Sequence, residues 1–527
     1  MSFPKRLLVL GFFTAFCLSF IGPIQEGDLF YHLRQGEAIW QSKSLPQGFS
    51  TQWLGQVIIF LIWKLFGFSG ISLMRVSVYM SILIFLFFWM RRKGLSTLEC
   101  IFFLLFPAHM FISFPSERPQ IFSFLFFPIT IYLLELLRQN PRSRAVWMLL
   151  PIVFLWANIH AGFVIGLAVV WIYFISQGVS CLRGNVPFRA VIPTGVIALS
   201  FAISIVLVPE RATFIPDMIS SFIRPAPYMK GIHEYLSPLT AAINLKEYYP
   251  SYWILLLIAA YTIFRGIRHM SLEHTVLIAL MAILPFKGIR FMPFFTMLAP
   301  LIAFNLSQKE RLKESKPFVF GFGVLLALWL AFVPFKFQLG IGKEFPQNAV
   351  GFLKEVKPHG KVFNYHGWAG YLEWSLPEVE IFIPVSNIPE DIDRAYSSII
   401  WAEETSDKIG WQSLLDAYGV GVLVIPGMSP VSGEIYSLMD AIQGNKHWYL
   451  IYSDETANVL IRDIPQNHDI IRGYFRPKAN IYLQIIAQAK RYLKEKGDKA
   501  VLWRTIGDAD MRLGDVKGAM EAYRNAK

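Results

Sequence analysis

The first part of the chain alternates long apolar segments with short polar stretches. Helices of about 20 apolar residues cross a bilayer, and shorter ones suffice where protein surrounds their ends. The pattern therefore predicts a polytopic α-helical membrane domain over residues 1–337, with about eleven transmembrane helices. Their approximate bounds are 7–24, 71–90, 98–114, 119–137, 146–160, 162–178, 190–208, 252–265, 272–287, 291–306 and 317–336.

Basic residues between the apolar segments define a topology, because cytoplasmic loops are rich in lysine and arginine. Their alternation with the spans predicts a cytoplasmic N-terminus and an extracytoplasmic C-terminal part. Two large outer loops follow, at 25–70 and 209–251. The basic clusters are Lys5/Arg6, Arg91/Arg92/Lys93, Arg138/Arg142/Arg144, Arg183/Arg189, Arg265/Arg268 and Lys309/Arg311/Lys313/Lys316.

The segment Trp53–Phe68 is apolar enough to be a further span. Counting it as one would place the cluster at 91–93 outside, against the positive-inside rule. We therefore expect a helix that lies at the outer membrane surface, or that enters the membrane without crossing it.

The pattern changes after Lys336. Short apolar runs bounded by Gly or Pro predict strands, and helical patterns lie between them. This alternation predicts a small α/β domain over residues 338–472. No glycine-rich phosphate loop and no metal-ligand spacing occurs there, which favours a structural or docking domain. The predicted strands are Lys361–Tyr365, Glu380–Pro384, Val420–Pro426 and a hairpin of Trp448–Ser453 with Asn458–Arg462; the predicted helices are at about 346–356, 410–418 and 432–443.

Residues 473–527 have a helical pattern spaced like one tetratricopeptide repeat, with a turn at Gly514 and Asp515. A single repeat cannot bury its own apolar face, since stacked arrays need about three repeats. We therefore expect this segment to pack on a preceding helix at about 479–496, on the α/β domain, or on a protein partner.

Composition narrows the class of protein. The 527 residues are 54% hydrophobic and only 16% charged, whereas soluble domains have about 25% charged residues. The net charge of +12 comes from clusters between spans, which argues against a nucleic-acid partner. The cysteines Cys17, Cys100 and Cys181 leave no disulfide framework in the soluble tail. The first apolar run has no evident cleavage site, so we interpret it as a retained helix.

A polar stretch, Gln25–Arg34, follows the first span and contains Asp28, His32 and Arg34, with Glu37 beyond it. Ionisable groups near membrane depth usually have a partner or a function. Asp28 could cap the helix predicted over 29–41. It could also act as a general base on an acceptor hydroxyl, or contribute to a site for a divalent cation such as Mg or Mn.

Further polar residues fall in predicted outer turns or at the outer end of a span. Arg118, between two prolines, suits bidentate binding of a lipid-linked phosphate, and a snorkelling role is the alternative. Lys287 and Arg290 lie in a similar turn, and the same two interpretations, phosphate binding or snorkelling, apply to them. His160 ends the fifth predicted span, where it could line a cavity or make a helix-to-helix hydrogen bond.

These features together resemble the GT-C superfamily of polytopic glycosyltransferases. The resemblance is carried by Asp28-Leu29-Phe30-Tyr31-His32-Leu33 in the first outer loop and by an arginine-bearing outer turn before an extracytoplasmic C-terminal domain. An uncharacterised bacterial group within that superfamily is more similar still. The shared stretches are Arg118-Pro119-Gln120, Trp156-Ala157-Asn158-Ile159-His160-Ala161-Gly162, Phe363-Asn364-Tyr365 and Trp368-Ala369-Gly370-Tyr371-Leu372.

The resemblance implies transfer of a sugar from a polyprenyl-phosphate carrier to an extracytoplasmic acceptor, in the inner membrane of a bacterium. Asp28 matches the first-loop acid that activates the acceptor or binds metal, and Arg118 matches a contact to the carrier phosphate. Related first loops often carry a second acid where this chain has Gln52. Two alternatives remain. One is a polysaccharide polymerase or ligase that relies on Arg211, Arg224 and His233, and the other is a membrane scaffold that recruits a partner through the C-terminal helices.

Overall fold

The computed structural model describes residues 3–43, 52–206, 233–245, 247–266, 269–307, 338–385, 388–405, 407–497 and 499–526. It divides into two compact units. A helical unit comprises Met1–Glu26 with Gln35–Gly340, and an α/β unit comprises Gly27–Arg34 with Ile341–Lys527. The predicted span at 317–336, most of the predicted loop at 209–251, and Arg211 and Arg224 lie outside the described residues. The boundaries at 337 and 472 stay predictions.

Helices build the described part of the helical unit, and they follow the predicted apolar segments closely. Short 3-10 turns at Arg144–Met148, His233–Tyr235, Leu284–Lys287 and Ile289–Phe291 join some of them. The helices are α1 (Phe3–Phe20), α2 (Asp28–Ser42, whose first turns belong to the α/β unit), α3 (Trp53–Arg92), α4 (Thr97–Ser113), α5 (Gln120–Gln139), α6 (Leu149–Ile159), α7 (Phe163–Leu182), α8 (Phe188–Val206), α9 (Pro238–Asn244), α10 (Pro250–Gly266), α11 (Leu272–Ile283), α12 (Met292–Thr296) and α13 (Ala299–Ser307).

Helix α3 contains a break at Gly67, whose φ of 63° is left-handed. Only glycine adopts this conformation without steric cost. The break lies where the segment Trp53–Phe68 was predicted to end, before the span predicted at 71–90. The predicted position of the first part at the membrane surface stays a prediction.

Length and apolar composition identify three described helices that could each cross a membrane: α3, α5 and α7. The pair Ile289–Thr296 and Ala299–Leu306, bent by 47°, makes up to four if it counts as one span. Shorter apolar helices occur at Thr97–Ser113, Arg144–Ile159 and Phe188–Ser204. The protein is therefore a helical membrane protein by composition, while the number of eleven spans stays a prediction.

An aromatic column joins α1, α3 and α4 in the core. Phe12, Phe16 and Phe20 recur every fourth residue along α1, so they share one helix face, and all three are buried. Phe20 meets the edge of Tyr79 at 5.4 Å between ring centroids, and Tyr79 stacks on Phe111 at 4.3 Å. Aromatic pairs of this geometry stabilise a core beyond their buried area.

A second core feature is polar and lies near the C-terminal end of α5. Glu135 accepts hydrogen bonds from His274 Nε2 (2.8 Å), Tyr173 (3.0 Å), Arg138 Nε (3.0 Å) and Lys93 (3.3 Å). We call these five residues the Glu135 cluster. Because a buried carboxylate is costly unless it is paired, these partners hold α3, α5, α7 and α11 in one arrangement.

The α/β unit contains a four-stranded sheet in the order β1 (Lys361–Asn364), β2 (Val420–Ile425), β4 (Asn458–Arg462) and β3 (Trp448–Ser453). The β1–β2 pair is parallel, and the other two pairs are antiparallel. Every residue of the central strand β2 is buried, as its continuous apolar run requires. The helices of this part are α14 (Gln347–Val356), α15 (Ala369–Ser375), α16 (Glu390–Ile400), α17 (Trp411–Ala417), α18 (Ser437–Ala441) and α19 (His468–Tyr474).

Two local predictions for this unit were wrong. Glu380–Pro384 does not form a strand of the ladder, because only an isolated bridge joins Ile381 to Val362. The helix predicted at 432–443 is limited to Ser437–Ala441, since a bridge between Met428 and Ile435 extends the preceding turn. At Glu380–Pro384 the pairing with β1 stops after Phe382, because Pro384 has no N–H to donate to the next carbonyl.

Three helices end the chain: α20 (Asn480–Lys496), α21 (Ala500–Leu513) and α22 (Val516–Asn525). Gly514 is left-handed (φ 82°), and Asp515 caps α22 by accepting the Gly518 N–H at 2.9 Å. Helix α21 packs on α20 and also bonds to the rest of the unit, where Thr505 donates to the Gly433 carbonyl. Two of the expected packing partners are therefore present, while the tetratricopeptide assignment stays a prediction.

Candidate functional site

The turn before α5 is held from two sides in the helical unit. Tyr79 donates to the Phe114 carbonyl (3.0 Å) and accepts from the Ser116 N–H (2.9 Å). Arg75, buried in α3, pairs with the buried Glu117 and donates to the Gly22 carbonyl at 2.6 Å. These bonds fix the backbone of the turn directly before Arg118.

Arg118 lies between two carboxylates. Its Nε donates to Glu26 Oε1 at 2.9 Å, and its Nη2 donates to Glu234 Oε2 at 2.5 Å. Glu26 is itself anchored, because it accepts the Glu117 N–H (2.8 Å) and the Ser116 hydroxyl (3.2 Å). The predicted phosphate contact is thus an arginine with its guanidinium held in a defined orientation.

Arg290 extends this cluster. Its Nη1 lies 3.6 Å from Glu234 Oε1, and its guanidinium stacks on the Tyr235 ring at 4.0 Å. The Ile289 N–H donates to the Leu236 carbonyl at 2.9 Å, which ties the two turns together. We call Glu26, Arg118, Glu234 and Arg290 the Arg118 cluster. Lys287, in the same turn as Arg290, is exposed.

His160 makes a contact between helices. Its Nδ1 accepts the Gly162 N–H (2.9 Å) and lies 2.8 Å from Ser123 Oγ on α5. Ser123 Oγ accepts from Trp156 Nε1 at 2.7 Å, so its own proton points to His160. This pattern leaves the ring proton of His160 on Nε2. The helix-to-helix hydrogen bond is thus present, while a role in lining a cavity stays a prediction.

Asn158 in the same motif accepts from Trp53 Nε1 at 2.9 Å and donates to the Phe154 carbonyl at 2.8 Å. It joins the start of α3 to the end of α6. Gln52, the position where related first loops carry an acid, directly precedes α3 and supplies no side-chain cap.

The first-loop residues near Asp28 belong to the α/β unit. Helix α2 begins at the half-buried Asp28, which is the acidic residue of its first turn; a capping role of its side chain stays a prediction. His32 is buried one turn later. Arg34 Nη1 lies 3.5 Å from Glu373 Oε2. Glu37, which lies in the helical unit, accepts from Gln41 at 3.1 Å.

The segment Gly27–Arg34 packs on the turn that follows β1. A Cβ atom at Gly27 would lie 2.7 Å from the Gly367 carbonyl oxygen, and one at Gly370 would lie 2.5 Å from the Gly27 carbonyl oxygen. Phe30 packs on Tyr371, with ring centroids 4.9 Å apart. The small residues of the motif therefore allow the first-loop backbone to approach closely.

Asparagine and tryptophan in these motifs have structural roles. Asn364 is fully buried and accepts the N–H groups of Phe382 and Ile383, each at 3.1 Å. Trp368 donates to the Glu344 carbonyl at 2.8 Å. These bonds fix the backbone after β1, against which the segment Gly27–Arg34 packs.

The structure places His366 near two carboxylates, Asp28 and Asp393. Burial lowers the pKa of His366, and the negative charges of Asp28 and Asp393 oppose that shift. Burial raises the pKa of Asp393, and His366 opposes it. Asp28 therefore lies in an acid and histidine group that the sequence did not reveal, because His366 is more than 300 residues further along the chain.

The described residues contain no group of three His, Cys, Asp or Glu side chains close enough to hold a metal ion. Asp28 is therefore not part of a preformed three-ligand cation site among these residues.

Sequence reasoning also missed Glu234 as the partner of Arg118 and the Arg75–Glu117 pair. Arg75 lies inside a predicted apolar span, and this misplaced charge was the one available signal for it. No sequence signal links Glu234 to Arg118, because they are 116 residues apart.

Two solved structures with a similar fold are glycosyltransferases. The arabinofuranosyltransferase AftD from Mycobacteria, determined by cryo-EM, matches with a TM-score of 0.50 and 14% identity, over 88% of this chain and 42% of that one. The Archaeoglobus fulgidus oligosaccharyltransferase, in a crystal structure with Zn and sulfate, matches with a TM-score of 0.50 and 11% identity, over 95% of this chain and 80% of that one.

No protein-family model and no curated protein sequence matches the chain. The chain spans less than half the length of the arabinofuranosyltransferase. It nevertheless has a GT-C-type fold, which confirms the resemblance inferred from its motifs.

Proposed function

We propose that this protein is a membrane glycosyltransferase that moves a sugar from a polyprenyl-phosphate carrier to an extracytoplasmic acceptor. The observation that carries the proposal is the Arg118 cluster, in which two arginines share the Glu234 carboxylate within a GT-C-type fold. Arginine forks suit phosphate as well as carboxylate.

The proposed chemistry is a substitution at the anomeric carbon of the donor sugar. The acceptor oxygen forms a bond to that carbon, and the bond from the carbon to the carrier phosphate oxygen breaks. Asp28 takes the acceptor proton as general base. Arg118 and Arg290, with Lys287 in the same turn, stabilise the charge that collects on the departing phosphate.

The remaining predicted residues have supporting roles. Arg34 pairs with Glu373, and the buried His32 packs beside Tyr31. Both orient the helix that begins at Asp28. Glu37 and His160 are proposed to face the substrate. For His160 this rests on the resemblance, and for Glu37 it rests on its position among the charged residues that follow Asp28.

The proposed location is the inner membrane of a bacterium, with the N-terminus in the cytoplasm and the α/β unit outside. The alternation of basic clusters and apolar segments supports this orientation. The proposed partners are the lipid-linked sugar, membrane lipid and a protein bound at the C-terminal helices.

Asp28→Asn tests the base. Asparagine caps a helix about as well as aspartate, so the variant should fold normally yet lose transfer, by roughly 10²- to 10⁴-fold. The assay measures release of polyprenyl phosphate from a lipid-linked sugar in nanodiscs, with thermal unfolding as the folding check.

A matched control is Asp469→Asn, because Asp469 also lies in the first turn of a helix of the same unit and pairs with the exposed Arg472. It should retain full transfer. Full transfer by Asp28→Asn would leave capping as the role of Asp28.

The polymerase alternative gains no specific support from the described residues. His233, one of its expected residues, pairs with Glu247 at 2.5 Å, and Arg211 and Arg224 lie outside the described ranges. The scaffold alternative predicts that neither Asp28→Asn nor Arg118→Gln changes any transfer activity.

A further inference from the structure

Glu234 joins the two arginines of the Arg118 cluster through separate oxygens. Oε2 accepts from Arg118 Nη2 at 2.5 Å, and Oε1 lies 3.6 Å from Arg290 Nη1. One anion that bridges two guanidinium groups is also the arrangement in which a phosphate binds between two arginines.

The two carboxylates on Arg118 are anchored differently. Glu26 also accepts a backbone N–H and a hydroxyl, at 2.8 and 3.2 Å, so it belongs to the turn itself. The described contacts of the Glu234 carboxylate are to Arg118 and Arg290. Displacing that side chain would therefore leave Arg118 on Glu26 and Arg290 on the Tyr235 ring.

Exposure permits the exchange. The side chains of Arg118, Glu234 and Arg290 are 19%, 23% and 31% exposed, so Glu234 can turn towards water when another anion takes its place. The cluster holds two arginines and two carboxylates. Exchanging one carboxylate for a singly charged phosphodiester keeps this balance and leaves no buried charge uncompensated.

We infer that Glu234 is an internal anion that occupies the carrier-phosphate position in the unloaded protein and gives way when the donor binds. This inference rests on the proposed function, since it assigns regulation to the same arginine pair. Glu234 competes with the donor phosphate for the two arginines and thereby lowers the affinity for the donor. Between turnovers it keeps the two guanidinium groups oriented. Only its side chain needs to move, because the Ile289–Leu236 backbone bond holds the turn.

The test compares binding of a short-chain polyprenyl phosphate to purified protein in nanodiscs. Glu234→Gln removes the competing charge, so this ligand should bind about tenfold more tightly, the equivalent of one charge-assisted hydrogen bond. Glu247→Gln is the matched control. The described partners of this carboxylate are His233 and Tyr249, and its loss should leave affinity unchanged.

Arg118→Gln separates the two proposals. If it weakens binding while Glu234→Gln leaves affinity unchanged or lower, the displacement inference fails and the carrier site stands. If Arg118→Gln does not weaken binding, the proposed function itself loses its phosphate site. Should Glu234→Gln not fold, Glu234→Asp serves instead. Its shorter side chain reaches one arginine only and should strengthen binding by a smaller factor, and unchanged or weaker binding would again overturn the inference.

Discussion

Two ionic clusters lie near opposite ends of helix α5, and they differ mainly in exposure. Arg118 directly precedes the first turn, and Glu135 lies in the last turns, about 25 Å away at 1.5 Å per residue. In the Glu135 cluster, the carboxylate and His274 are only 1% and 2% exposed, although Lys93 and Arg138 reach 14% and 30%, so the contrast is between the carboxylates. In the Arg118 cluster every member is partly open to solvent, between 19% and 31%.

This difference in exposure indicates which of the two clusters can exchange an ionic partner for a ligand. A carboxylate with four protein donors and no access to water cannot release one of them without leaving a buried charge unpaired. A carboxylate at the solvent boundary can. We therefore propose a folding role for the Glu135 cluster and keep ligand binding as the proposed role of the Arg118 cluster, although their residue types are similar.

The largest expected effect is from Glu135→Ala. The substitution leaves Lys93, Arg138, Tyr173 and His274 without their shared acceptor. We expect a loss of stability on the order of 3 kcal/mol, measured as a lower unfolding temperature in detergent. Glu135→Gln keeps an acceptor oxygen but not the charge, so its unfolding temperature should lie between those of the wild type and Glu135→Ala. A stability change no larger than that of a surface variant would contradict the assignment of this cluster.

A smaller effect is expected from Glu26→Gln in the Arg118 cluster. The amide oxygen can still accept from the Glu117 N–H, but the charge opposite Arg118 is lost. Because the group is partly solvated, we expect a stability loss of about 1 kcal/mol. Glu37→Gln serves as the control, because the described partner of Glu37 is Gln41 on its own helix. Its unfolding temperature should not change measurably. If Glu26→Gln were as damaging as Glu135→Ala, exposure would not be the property that separates the clusters.

The smallest effect concerns His366 in the α/β unit, a half-buried histidine near two carboxylates. Because burial holds its pKa in the folded protein below the ordinary value of about 6.5, the unfolded chain binds the proton first as pH falls. Stability should therefore decrease as pH falls below about 6.5, and the decrease should end below the folded pKa.

Unfolding temperatures of the wild type and His366→Gln between pH 7.5 and 5 measure this contribution, which the variant should lack. Asp28→Asn removes one opposing charge, so it should lower the pKa of His366 further, which NMR titration of the ring can detect. An unchanged pH profile in His366→Gln would show that this histidine is not desolvated.

Particular elements show how far sequence reasoning reached. The helix starting at Asp28, the break before residue 71, the strands β1 to β4 and the turn at Gly514 all agree with local patterns of polarity and glycine. The strand predicted at Glu380–Pro384 was wrong because its pairing with β1 stops after Phe382, where Asn364 Oδ1 accepts the Ile383 N–H and Pro384 has no N–H to donate.

The candidate site was less accessible to sequence reasoning. Asp28, Arg118 and Arg290 were recognised as unusual charges near outer turns, and motif similarity indicated the GT-C-type fold that the solved structures share. Their partners were not recognised, since Glu234 and His366 look like ordinary polar residues in the sequence.

Hydropathy, charge clusters and turn residues act over a few neighbouring positions, so the amino-acid order was enough to establish the class of protein, the helix positions and the candidate charges. Which carboxylate meets which arginine depends on residues that are 92 and 116 positions apart. Whether such an ion pair is buried or exposed to solvent depends on how many helices surround it. Only the tertiary structure decides both, because burial and long-range pairing arise when distant segments pack together.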